Sequence, residues 1–203
     1  DGLLCVGGDL KVSTLQEAYG KGIVPWPHEG VPLLWLAPPR RGILQFSELH
    51  ISTSLRKFLA KVNYTFTVNQ AFSRVIEGCA LSKRSGQAGT WILPQMIQAY
   101  ENLHLAGDAH SFEVWQEGEL VAGLYGVYIG GVFSAESMFS LKSNMSKVAL
   151  VKTVEFLRDG GLHWMDIQMV TPHLQIMGGK YISRQEFQRR LRAQNVKELF
   201  TKK

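Results

Sequence analysis

Cysteine, charge and long apolar runs are all scarce in this chain. Its two cysteines, Cys5 and Cys79, lie 74 positions apart. That spacing fits neither a disulfide scaffold nor a metal-ligand set, so a reducing, cytosolic setting and no bound metal are expected. No apolar run approaches the roughly 18 residues a membrane span requires, so a soluble protein with no membrane partner is expected. No signal peptide is expected. The chain starts at Asp1 rather than Met, so a leader is expected to be absent from the sequence. No G-x-x-x-x-G-K-[ST] phosphate loop occurs, and no G-x-S-x-G hydrolase elbow. There is no internal repeat and no low-complexity tract.

What is present is the balance of a globular chain: 203 residues, 45% hydrophobic and 19% charged. At roughly 100–200 residues per domain, this allows one domain or one domain with a small extra lobe. Such a chain has enough apolar surface to offset its ordering entropy, which excludes disorder. The net charge of +5 is unevenly spread. Residues 40–84 carry eight Lys and Arg against two Asp and Glu; residues 85–141 carry none against six; residues 142–203 carry twelve against five. Two basic blocks around an acidic middle suit an anionic partner gripped outside a differently charged centre, with nucleic acid the first candidate.

The first forty residues, rich in Gly and Pro, read as a small N-terminal lobe (1–40), with the remainder (41–203) as the main domain. Ser13 and Gln16 have capping-box spacing for a short helix stopped by Gly20. Proline at 25, 27, 38 and 39 predicts irregular chain. Apolar residues at i, i+3, i+4 and i+7 predict helices over 55–62 and 72–79, the second capped by Asn69. Arg56, Lys57 and Lys61 lie off the apolar stripe of the first. Together with Arg40, Arg41, Arg74, Lys83 and Arg84 they are candidate phosphate contacts, although a solvated face is the simpler reading. A further helix spans 94–105.

The period then changes to two. Strands are predicted over 111–116, 119–128 and 132–139, with tight turns at Glu117-Gly118 and 129–131. A helix over 144–159, a strand over 164–169 and a last helix opened by Ser183 and Glu186 follow. The order of antiparallel strands, helix, strand is an α+β arrangement and the core order of the N-acetyltransferase-like (GNAT-like) fold. Acetyl-CoA enzymes of that fold open the helix after the hairpin with a Gly-rich turn. Here residues 140–147 contain no glycine, so CoA is not expected as cofactor, nor is any other.

Three polar residues stand in apolar strands. Glu136 requires a cationic or hydrogen-bonding partner. Asp166 and Gln168, at i and i+2, project from one face of a strand. Capping of nearby backbone groups would explain any one of them, but not all three on successive strands.

The sequence resembles the leucyl/phenylalanyl-tRNA–protein transferase family. The stretches that carry the resemblance are Gly2-Leu-Leu-Cys-Val-Gly-Gly-Asp-Leu10, Gly22-Ile-Val-Pro-Trp26, Leu49-His-Ile-Ser52, Gly89-Thr-Trp-Ile92 and Ala109-His-Ser111. They continue with Leu124-Tyr-Gly-Val127, Glu136-Ser-Met-Phe-Ser140 and Asp166-Ile-Gln168 followed by His173. The resemblance implies transfer of Leu, Phe or sometimes Met from aminoacyl-tRNA to the N-terminal α-amine of proteins beginning with Arg or Lys, which marks them for degradation. A cytoplasmic monomer is expected.

By the same resemblance, Leu124, Met138, Leu150 and Leu157 form the slot for the donor side chain. Burial would select it there, at about 1–3 kcal/mol. Tyr19, Trp26 and Trp91 match aromatics near the terminal adenosine, where stacking is worth about 1–3 kcal/mol per base. Tyr100 and Thr171 join these adenosine and acceptor contacts. Asp166 accepts from the Gln168 amide and orients it, the Gln168 carbonyl faces the attacking amine, and Glu136 binds the cationic acceptor. The chain departs from the family pattern at Ile167, Thr171 and Leu157. Two other readings fit the basic blocks or the fold: a non-catalytic RNA-binding module, and an acyltransferase with another donor.

Overall fold

A computed structural model describes residues 2–82, 91–194 and 198–200. Two sheets organise them. The smaller is antiparallel, in the order β1 (Leu3–Val6), β3 (Leu34–Leu36), β2 (Val24–Trp26), with α1 (Val12–Gly20) between its first two strands in sequence. Strand structure around Pro25 corrects the expected irregular chain. Pro25 lies on an edge strand, the position where a missing amide donor is tolerated. The expected Ser13 capping box does not form either. α1 begins at Val12 with no side-chain cap, Asp9 accepts from Lys11 N and the Thr14 hydroxyl, and Gln16 donates to Asp108 instead.

The larger sheet has seven strands. β4 (Arg40–Gln45) is followed by a 3-10 turn, α2 (Thr53–Leu59), β5 (Thr65–Val68), α3 (Phe72–Leu81) and α4 (Pro94–Leu105). Then come β6 (Ala109–Gln116), β7 (Glu119–Ile129), β8 (Val132–Ser140), α5 (Met145–Asp159) and β9 (Trp164–Gln168). α6 (Pro172–Ile176), β10 (Lys180–Ser183) and α7 (Arg184–Arg192) are the last elements among the described residues. The strand order is β10-β4-β9-β8-β7-β6-β5, antiparallel throughout except between β8 and β9. This is the α+β, acetyltransferase-like order expected from the sequence. The β6–β7 turn has Glu117 and Gly118 both at positive φ (52° and 80°), and the β7–β8 turn has Gly130 and Gly131 likewise. Both match the right-handed twist of a two-residue hairpin.

Asn69 is not the cap of α3, which starts after Ala71. Its side chain ties β5 to β6, accepting from Ser111 N and contacting His110 Nδ1 at 3.0 Å. Ser183 does cap α7, accepting from Glu186 N at 3.2 Å, while the Glu186 carboxylate turns to Arg189 and Arg190. One apolar core joins α1, α3 and α4 to Tyr125, Val127 and Phe139 of the sheet. A second joins α5 to Leu44, Phe112, Leu124, Phe133 and Met165, and smaller clusters form around Val114 and Val148 and around Ile43 and Phe187.

Candidate active site

The site begins with an irregularity in the central hairpin. Tyr125 pairs with Ser137 and the next residue, Gly126, with Ala135, so Glu136 is the extra residue of a β-bulge. A bulge re-aims the side chain it carries. Gly126 permits this close approach: a Cβ there would collide with the Ser134 carbonyl and the Phe133 ring. Beside the bulge, β8 and β9 pair only at Ser134 and Asp166.

Glu136 is held from three elements. Its Oε1 accepts from the Tyr19 hydroxyl and from Gln168 Nε2, each at 2.7 Å, and its Oε2 accepts from the Tyr100 hydroxyl at 3.2 Å. The two tyrosine oxygens are 2.6 Å apart. Burial pushes the Glu136 carboxyl up to about 7. The Tyr19 and Gln168 hydrogen bonds and the Arg41 charge pull it down, and the Asp166 charge adds to the rise. Both tyrosines are raised well above the ordinary phenol value, first by burial and then by the Glu136 charge.

Asp166 is fully buried and fully partnered. Arg41 Nε and Nη2 donate to its two oxygens at 2.8 and 2.6 Å, Ser134 Oγ donates at 3.0 Å, and the main-chain N–H of Gln168 at 2.9 Å. Two expectations are corrected here. Asp166 takes the main-chain amide of Gln168, not its side chain, which goes to Glu136. Arg41 is 2% exposed and ion-paired, so it is no phosphate contact. Gln168 itself sits at φ 56°, a conformation glutamine rarely holds without outside constraint. Its partner across the strands is Gly42, where a Cβ would press on the Gln168 and Met169 backbone.

The other expected residues fall into three groups. Leu124, Leu150 and Leu157 are buried in one core cluster, with Met138 packed against it as the cross-strand neighbour of Leu124. Trp26 and Trp91 are part-buried and lie parallel, centroids 6.0 Å apart. Tyr19 and Tyr100 are not stacking surfaces, because both rings are enclosed in the core and only their hydroxyls serve the site. Thr171 is exposed, and its hydroxyl caps α6 by accepting from Leu174 N. Arg56, Lys57 and Lys61 are exposed on and just beyond α2. Arg40 and Arg74 are exposed but lie over the Tyr181 and Trp115 rings. Lys83 and Arg84 lie outside the described residues.

A family model described as leucyl/phenylalanyl-tRNA protein transferase matches residues 43–192. The chain belongs to this family. A transferase of that name from Syntrophobacter fumaroxidans is 50% identical over 199 residues, covering 98% of this chain and 85% of its own length. The one from Pseudoalteromonas translucida is 47% identical, covering 97% and 83%. Among solved structures, a GCN5-related N-acetyltransferase-like protein from Streptococcus suis aligns with 84% of this chain and 64% of its own, at 12% identity and a TM-score of 0.41.

Two members of this polar cluster were not apparent from the sequence: Arg41 as the partner of Asp166, and Ser134. The signal for the first was present. A carboxylate in an apolar strand requires a cationic or hydrogen-bonding partner, and Arg41 precedes the apolar run Gly42-Ile43-Leu44. Among the described residues no group of His, Cys, Asp and Glu is arranged to hold a metal ion, and no helix is long and apolar enough to cross a membrane.

Proposed function

We propose that this chain transfers Leu or Phe, and sometimes Met, from aminoacyl-tRNA to the N-terminal α-amine of proteins beginning with Arg or Lys, marking them for degradation. It would work as a monomer in the cytoplasm. A lobe of residues 1–40 would bring Tyr19 and Trp26 to a catalytic domain formed by 41–203. The observation that carries the reading is Glu136. It is a carboxyl aimed by a bulge, held by Tyr19, Tyr100 and Gln168, and placed two residues from Met138 of the apolar cluster.

In the reaction, the acceptor nitrogen attacks the ester carbon. A C–N bond forms, the C–O bond to the ribose breaks, and the nitrogen loses a proton as the ribose oxygen gains one. The ester is already activated, so the chemistry asks for no nucleotide. Glu136 attracts the cationic groups of the acceptor. Because Gln168 gives Nε2 to Glu136, its Oε1 is left to accept from the attacking amine and steady the developing positive charge. An amide is a poor base, so the neighbouring ribose 2′-hydroxyl carries the proton between the two atoms. Leu124, Met138, Leu150 and Leu157 take the donor side chain, with Met138 adapting to branched or aromatic guests. Trp26 and Trp91 stack on the terminal adenosine. The Arg56, Lys57 and Lys61 surface, with Lys83 and Arg84, holds phosphates without reading sequence.

The test is direct. Leu-tRNA and a peptide beginning with Arg are incubated with the protein, and a mass gain of one leucine residue is expected. The same peptide with an acetylated N-terminus should gain nothing. No gain on the free peptide, or equal gain on the blocked one, overturns the reading.

A further inference from the structure

The Arg41 guanidinium joins three parts of the molecule. It forks onto both oxygens of Asp166, donates through Nη1 to the Gly22 carbonyl at 3.4 Å, and lies 4.9 Å from the centroid of the Phe187 ring of α7. From there its influence runs along two routes to one atom.

The first route passes through Asp166. That carboxylate has about four acceptor positions, and Arg41, Ser134 and the Gln168 N–H occupy them all. It has nothing left with which to take a proton from a substrate. Instead it holds the Gln168 backbone in its left-handed conformation, which sends the Gln168 side chain to Glu136 Oε1. The second route passes through Gly22. Gly22 N donates to the Tyr19 carbonyl at 3.0 Å, so the carbonyl held by Arg41 belongs to the turn that ends α1. The hydroxyl of Tyr19 is the other donor to Glu136 Oε1.

We infer that Arg41 is a positioning residue for the transfer reaction, bracing both hydrogen-bond donors of Glu136 Oε1 from behind the site. The inference rests on the role given to Glu136 in the proposed function. Around Glu136 stand Tyr19 from α1, Tyr100 from α4, Asp166 and Gln168 from β9, and Arg41 from β4. Of these, the Tyr19 and Gln168 bonds favour the ionised carboxylate, and both depend on the Arg41 brace.

Two variants test this. Arg41→Lys keeps the charge but loses the planar fork. Arg41→Gln combined with Asp166→Asn removes both charges together and strands neither in the core. Folding is checked by circular dichroism and thermal melting. Glu136 is then titrated by NMR on glutamate-labelled protein, and Leu transfer to an Arg-initiated peptide is measured against pH. In Arg41→Lys the Glu136 titration and the activity profile should both move to higher pH. In each folded variant kcat should fall about tenfold or more, because misplacing a reacting group is that costly, with KM for Leu-tRNA nearly unchanged.

A lower melting temperature with wild-type kcat in either folded variant means a merely structural arginine and overturns the inference. So does a Glu136 titration unmoved in Arg41→Lys. Should Arg41→Lys not fold, the double variant decides through its kcat. If the wild-type protein transfers no leucine, the functional reading fails, while the NMR titration still decides whether Arg41 governs Glu136.

Discussion

Replacing Glu136 by Gln isolates the effect of one proton. Burial lifts this carboxyl from its ordinary 4.5 to about 7, whereas in the unfolded chain it titrates near the ordinary value. Between those two values the native protein holds a proton that the unfolded chain has released. The stability contributed by that proton is therefore full below the unfolded value and is lost as pH rises through the folded one. Each pH unit between the two is worth about 1.4 kcal/mol, so the ceiling is about 3 kcal/mol. Gln has the same shape, accepts from Tyr19 and Gln168 through its carbonyl, and does not titrate. Its stability relative to wild type should therefore rise by up to about 3 kcal/mol between about pH 5 and pH 8. Urea denaturation of both proteins across that range measures the difference, and the other titrating groups cancel because they are shared. Transfer should respond in the opposite sense: wild-type kcat/KM climbs through about pH 7 as Glu136 ionises, and the Gln variant stays low. The pH dependence of the α-amine is common to both enzymes and drops out of the ratio. Stability curves that run parallel over the whole range would refute the raised carboxyl and the role built on it.

Reversing charge with Lys57→Glu and Lys61→Glu should weaken tRNA binding and reduce the salt slope by about 0.9 for each phosphate no longer neutralised; an unchanged slope in a filter-binding titration would put the tRNA elsewhere. Leu124→Trp should abolish transfer of Leu and Phe while leaving uncharged tRNA bound. It overpacks the core at a cost of about 1–3 kcal/mol, so melting is measured first, and full transfer by a folded variant would remove Leu124 from the donor slot. Gly126→Ala pushes a methyl group into the Ser134 carbonyl and Phe133 and should cost about 1–3 kcal/mol in denaturant; a neutral effect would mean that the bulge needs no glycine. Asp166→Ala leaves the Arg41 cation uncompensated in the core, so a loss of about 3–5 kcal/mol is expected by the same measurement; a much smaller loss would contradict the buried pair.

The central part of the fold was legible because its signals are local. The hairpin turns carry their own left-handed residues, the α5 and α4 helices carry their own apolar stripes, and β6 to β8 are long enough to show alternation. The shortest strands were not. β1, β2, β3 and β10 are three or four residues each, too short for a period, and prolines at 25 and 27 argued against strand. Arg40 and Arg41 show why the site was only half visible. In the sequence they are the same residue twice, and both were assigned to phosphate. Strand alternation turns Arg40 outward over Tyr181 and Arg41 inward onto Asp166, and the difference is fixed by β9, which lies far along the chain. Glu136, Asp166 and Gln168 were legible because charged or polar side chains are conspicuous in apolar strands. Which of its members touch could only come from the fold.

The contacts that make the site are among the longest in sequence. Tyr19 reaches Glu136 across 117 positions, and Arg41 reaches Asp166 across 125. Closing loops of that size costs more entropy than closing a hairpin, so the β6–β8 meander can form well before the chain ends are brought together. During synthesis Tyr19 must wait for β8, and Arg41 for β9, to leave the ribosome before each finds its partner. The nascent chain therefore holds most of its helices and its central hairpins while it still has no working site. Under the proposed function, a fragment that ends before Asp166 lacks both Asp166 and Gln168 and should transfer nothing, however well the β6–β8 meander has folded.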